Sequence, residues 1–100
     1  MVASAAGVSL DPSTREVTCD GAPVDLSARE TSLLEHLIRA HPRPVSKERL
    51  LDDIWAGASA DPNVVEAFVG HLRRKIGRER IVTVRGLGYR LAQQDSPDAG

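Results

Sequence analysis

The stretch RRKIGRERIVTVRGLGYRL, residues 73–91, decides the fold. It reads as a helix end, a stop at Gly77, and two extended runs, IVTV (81–84) and GYRLA (88–92), around Arg85-Gly86-Leu87. Extended runs flanking a glycine-containing turn predict a β-hairpin. The same stretch holds seven cationic side chains, Arg73, Arg74, Lys75, Arg78, Arg80, Arg85 and Arg90, against one acid, Glu79. The whole chain nevertheless carries a formal charge of −1.

The near-neutral total hides a polarised molecule. Residues 1–72 hold six Lys/Arg against eleven Asp/Glu, and residues 92–100 add two more acids, Asp95 and Asp98. A local basic face, not overall basicity, attracts a polyanion.

Upstream of the hairpin, NVVEAFVGHLRRKIG has helical spacing. Val65, Val69, Leu72 and Ile76 fall on one stripe and belong in the core. Asp61-Pro62 places an N-cap acid before a proline at the first helical position. At ~100° per residue, the opposite side carries Asn63, Ala67, Gly70, His71, Arg74 and Arg78, with Val64 and Lys75 flanking it. Amide and guanidinium groups pair bidentately with base edges, and small residues between them allow close approach. Cations near the helix end can neutralise phosphates. Arg85 stands at a turn with Gly86 and Gly88, which keep the tip narrow; such a tip can enter a minor groove.

Two more helices precede this one. Ser27 with Glu30 forms a capping box before ARETSLLEHLIRAH, whose Leu33, Leu34, Leu37 and Ile38 make an apolar stripe. Pro42 and Pro44 stop that helix near His41. Ser46 caps a second, KERLLDDIW (47–55), and AGASA (56–60) is a loop. The N-terminal part alternates as strands: VSL (8–10), REVTC (15–19) and APVDL (22–26), with Asp20-Gly21 as a tight turn. Sheet, three helices and hairpin together give an α+β winged helix-turn-helix, with an N-terminal antiparallel sheet and a C-terminal wing. The expected organisation is a flexible segment at 1–7, a domain at 8–92 and a disordered tail at 93–100.

Composition narrows the function classes. At 41% hydrophobic and 27% charged, the chain reads as a globular domain. Cys19 is alone, so no internal disulfide is expected. His36, His41 and His71 lack metal-ligand spacing, and no nucleophile–base set has a local signature. No catalytic residue, metal or cofactor is therefore expected. No apolar run approaches the ~20 residues of a membrane span, and MVASAAG lacks the order of a signal peptide, so a cytoplasmic location is expected.

Residues 8–92 resemble the effector domain of OmpR/PhoB-class two-component response regulators, through NVVEAFVGHLRRKIG, IVTVRGLGYRL and LSARETSLLEHLIRAHPRPVSKERLLDDIW. The resemblance implies a four-stranded N-terminal sheet and sequence-specific binding of promoter DNA, with helix 62–76 in the major groove and wing 81–91 at the minor groove. It implies base-reading roles for Asn63, Val64, Ala67, His71 and Arg74, and wing or phosphate roles for Thr83, Arg85 and Tyr89. It makes Ala56, Gly57, Ala58, Ser59, Ala60 and Asp61 a candidate RNA polymerase contact. It also implies pairing on direct repeats by a domain that is monomeric without DNA. A receiver domain and a sensor kinase are implied too; one hundred residues leave no room for the receiver, so the chain reads as an excised or naturally short effector domain. Three positions depart from the family pattern. Gly70 stands where a bulkier polar or basic residue is common, Phe68 where histidine or tyrosine is, and His71 where arginine or tyrosine is. The alternative is a winged-helix module that contacts RNA polymerase or a receiver domain without reading DNA.

Overall fold

Ser27 and Glu30 start the central helix. The Ser27 hydroxyl accepts the Glu30 N–H at 3.2 Å, and the Glu30 carboxylate accepts the Ser27 N–H at 2.9 Å. This box satisfies two otherwise orphaned donors and fixes where α1 (Ala28–Ala40) begins. The computed structural model describes residues 7–55, 61 and 63–92, and the backbone of residues 3–5. The tail at 93–100 and the loop at 56–60 lie outside the described residues, as does Pro62.

Four short strands precede α1: β1 (Ala3–Ala5), β2 (Val8–Leu10), β3 (Val17–Cys19) and β4 (Ala22–Val24). They form an antiparallel sheet in sequence order. Ala3 pairs with Leu10 and Ala5 with Val8. Residues 3–5, which fall within the segment expected to be flexible at 1–7, pair as a strand along the edge of β2. Asp20 and Gly21 both take positive φ, 53° and 86°, as a two-residue hairpin turn requires.

Two further helices follow, α2 (Lys47–Ile54) and α3 (Asn63–Ile76). Ser46 caps α2 by accepting the Arg49 N–H at 3.0 Å. At the start of α3, the Asp61 side chain accepts the Asn63 N–H at 2.8 Å. Gly77, at φ 113°, breaks the helix, and Arg78–Arg80 form a single 3-10 turn where only a turn was expected. Strands β5 (Ile81–Val84) and β6 (Gly88–Leu91) then make the wing. The Leu87 N–H returns to the Val84 carbonyl at 2.9 Å, with Gly86 at φ 80°, the geometry of a type II turn.

The apolar stripes meet in one core. Leu33, Leu34 and Leu37 of α1, Leu50 of α2, Val65 and Leu72 of α3, and Leu91 of the wing are all fully buried. Each such side chain contributes about 1.5–3 kcal/mol of burial. Val8, Leu10 and Val17 join them from the sheet. Trp55 is buried as well, edge-on to Phe68 with ring centroids 5.1 Å apart.

A second contact anchors the wing. Val45, in the link between α1 and α2, pairs with Tyr89 in both directions: its N–H donates to the Tyr89 carbonyl at 2.7 Å and its carbonyl accepts the Tyr89 N–H at 3.0 Å. Gly88 permits this approach. A Cβ there would lie 2.6 Å from the Val45 carbonyl carbon and 2.8 Å from the Ser46 Cα, and φ at Gly88 is 131°. Backbone cannot retreat as a flexible side chain can. Gly88→Ala should therefore destabilise the domain by at least about 2 kcal/mol, the sum of overpacking and φ strain. Chemical denaturation checks this; an unchanged midpoint would mean the wing docks some other way.

Candidate nucleic-acid interface

The seven cations of residues 73–91 divide into two sets in the structure. Four are engaged within the fold. The Arg73 guanidinium donates to the Ile81 carbonyl at 2.9 and 3.2 Å and to the Thr83 hydroxyl at 3.0 Å. Lys75 donates to the Glu30 carboxylate at 2.8 Å and to the Asp25 carbonyl at 3.2 Å. Arg80 pairs with Asp20 and also donates to the Ile76 carbonyl at 2.6 Å. Arg90 reaches the Leu91 carbonyl at 3.0 Å. The other three, Arg74, Arg78 and Arg85, are exposed and make no hydrogen bond or ion pair with a described residue.

The exposed side of α3 carries Asn63, Ala67, His71 and Arg74, with Val64 and Gly70 partly covered. The ring of His71 lies against Phe68, centroids 5.6 Å apart. Phe68 itself is wedged between His71 and Trp55, so it packs. On the wing, Thr83, Arg85 and Gly86 are exposed.

Two residues expected to touch DNA also make contacts within the fold. Lys75 points back toward α1 and the β4 exit, where it neutralises Glu30, a carboxylate only 6% exposed. Lys75 itself stays 41% exposed. Tyr89 is 7% exposed, and its ring belongs to the core. Tyr89 nevertheless lines the groove beside the wing.

That groove, about 420 Å³, runs between the start of α2, the first half of α3 and the wing tip. Glu66 and Arg85 both border it, so helix and wing tip share one concave surface. Glu66 is an exposed acid beside the α3 face, and Lys47 neutralises it at 2.6 Å. The carboxylate in turn raises the Lys47 ammonium above its ordinary range. Sequence spacing did not reveal this pair, because Lys47 and Glu66 lie on different helices. Nor did it reveal the clamp from Arg73 to the wing; the cue available was the 3.6-residue period, which puts residues 66 and 73 on the same side of α3.

Among the described residues no cluster of His, Cys, Asp and Glu could hold a metal ion. No helix among them is long and apolar enough to cross a membrane. The site is a surface of cations, amides and small side chains set around a groove, which suits an extended anionic partner.

Fold and surface together define a winged-helix effector domain. The family model described as transcriptional regulatory protein, C terminal, matches residues 21–91, and the chain belongs to that family, of the OmpR/PhoB type. It is 47% identical over 89 residues to the transcriptional regulatory protein CutR of Streptomyces coelicolor, covering 86% of this chain and 41% of that protein. It is 43% identical over 91 residues to the response regulator MprA of Mycolicibacterium vanbaalenii, covering 86% and 39%. The chain thus spans about two fifths of these relatives' length. Among solved structures, the DNA-binding domain of Klebsiella pneumoniae RstA in complex with the RstA box superposes with a TM-score of 0.77 at 26% identity, over 91% of this chain and 96% of that one.

The engaged cations generate two predictions. Arg73→Ala should cost about 1.5–3 kcal/mol, since the bonds it removes come from a charged donor. It should also raise amide exchange in the wing more than in α1, as hydrogen-exchange measurements would reveal. Glu30 carries a pH signature. Burial pushes its carboxyl up, but the hydrogen bonds from Lys75 and from the Ser27 N–H outweigh that, and the net shift is below the ordinary value of 4.5. The stability it supplies is therefore present above pH 4.5 and is lost as pH falls through the lower, folded value. Glu30→Gln should lower neutral-pH stability and shrink the further loss below 4.5, read by denaturation across that range.

Proposed function

We propose that this chain binds double-stranded promoter DNA as the effector domain of a two-component transcriptional response regulator. Helix α3 lies in the major groove and the wing tip at the minor groove. One observation carries the reading. Arg74, Arg78 and Arg85 have no partner among the described residues, and they ride on a helix and a wing that Arg73 locks together. Unpaired guanidiniums at fixed spacing suit phosphates, whose counterions they release on binding.

Asn63, Val64, Ala67 and His71 are the proposed base-facing residues on α3, with Arg74 reading or steering beside them. Arg78, Thr83, Arg85 and Gly86 meet backbone or minor groove. The Thr83 hydroxyl already accepts a bond from Arg73, and its remaining lone pair and proton stay available. Tyr89 contributes at most its ring edge, and Lys75 acts through Glu30 rather than through DNA. Family membership supports pairing on direct repeats, a polymerase contact at 56–61, and control by a receiver domain and sensor kinase in the cytoplasm.

The test is quantitative. The unaltered chain should show log affinity falling linearly with log salt concentration on a selected duplex. Arg85→Ala should reduce that slope by ~1 and weaken all sites, while Asn63→Ala or His71→Ala should change base preference by ~1–3 kcal/mol where the side chain pairs bidentately with a base. A salt-independent response would reject the electrostatic mechanism. A module that contacts only protein would show no sequence-selective binding at any salt concentration.

A further inference from the structure

Two glycines frame a question about this surface. Gly88 is required by the fold, since its Cβ would strike backbone. Gly70 is not. It lies mid-helix in α3 with no positive φ, and a Cβ built there meets nothing within 4 Å. Neither backbone conformation nor internal packing explains a residue that weakens its own helix.

The surroundings of Gly70 are cationic. A shallow notch of about 350 Å³ is lined by Gly70, Arg73, Arg74 and Arg78, with no carboxylate among them. Arg74 and Arg78 are unengaged by any described residue. Arg73 is held in place by its bonds to Ile81 and Thr83, which use Nε and Nη2 and leave the Nη1 protons free. The notch therefore has one fixed guanidinium, two free ones, and a floor of bare helix backbone.

We propose that this notch is a seat for one backbone phosphate of the bound duplex, and that Gly70 is a positioning residue because its missing side chain lets the phosphate reach the helix surface between the arginines. The inference rests on the DNA-binding reading above. A phosphate is favoured over a base edge because its delocalised negative charge can be shared by all three guanidiniums, whereas a guanine edge offers its two acceptors to a single arginine. Arg74 and Arg78 supply charge, and the glycine supplies distance: a methyl on the floor would hold the phosphate farther from all three guanidiniums.

Fold and function then pull in opposite directions at this position. The probe is a duplex selected from random sequence by the unaltered chain, read by fluorescence anisotropy beside thermal melting. Gly70→Ala should melt at a higher temperature and bind about five- to tenfold more weakly, with Gly70→Leu weaker still. A duplex carrying a neutral methylphosphonate at the seated phosphate should bind the unaltered chain and Gly70→Ala equally. Gly70→Ala binding within about twofold of the unaltered chain, or Gly70→Arg binding more tightly, would overturn the seat while leaving DNA binding intact. Failure of the unaltered chain to select any duplex would overturn both readings together.

Discussion

The contact between Arg73 and the first wing strand sets the geometry of everything that faces a partner. One guanidinium on α3 reaches the Ile81 carbonyl and the Thr83 hydroxyl and so ties the helix to the hairpin. A planar group with several donors can hold two acceptors at once, which a lysine ammonium does less well. The Val45–Tyr89 pairing closes the other side of the wing, and Gly88 lets the two backbones meet. Held at both edges, the hairpin presents Arg85 at a fixed distance from the helix, as recognition of a regular polymer needs.

The basic run serves two purposes. Lys75 neutralises a nearly buried carboxylate that also caps α1, so charge, capping and helix docking converge on Glu30. Arg80 ties the 3-10 turn to the β3–β4 hairpin through Asp20. These pairs consume much of the apparent positive charge, and the surface potential comes from fewer residues than the sequence advertises. Each pair has one exposed partner and is weak evidence of net stability, but breaking one half leaves the less exposed charge without its partner. Engaged and unengaged cations therefore differ in what their removal does: the first group fails in folding, the second in binding.

Much of the fold is legible in the residues. The Ser27–Glu30 box, the Asp20-Gly21 turn, the stripe from Val65 to Ile76 and the glycine-bounded wing are all local signals, and each appears where its chemistry places it. The first strand at Ala3–Ala5 is not legible, because three small residues carry no alternation and gain their structure only by pairing with β2. At the site, the exposed α3 face follows from helical period alone. Spacing does not reveal that Lys75 reaches back to Glu30, forty-five residues earlier, because that partner comes near only in the folded chain. Nor does it reveal that Tyr89 is buried, since alternation along β6 gives a face but not what covers it.

The sequence by itself determined where the helices and turns begin and end, and which stripe of each helix is apolar, because caps, φ preferences and periodicity act over a few residues. Only the tertiary structure decided which of the clustered arginines and lysines remain unpaired. Coulombic and hydrogen-bond partners such as Glu30, Asp20 and the Ile81 carbonyl become neighbours only after the chain has closed on its core, and that closure separates the charges that build the domain from those left to meet another molecule.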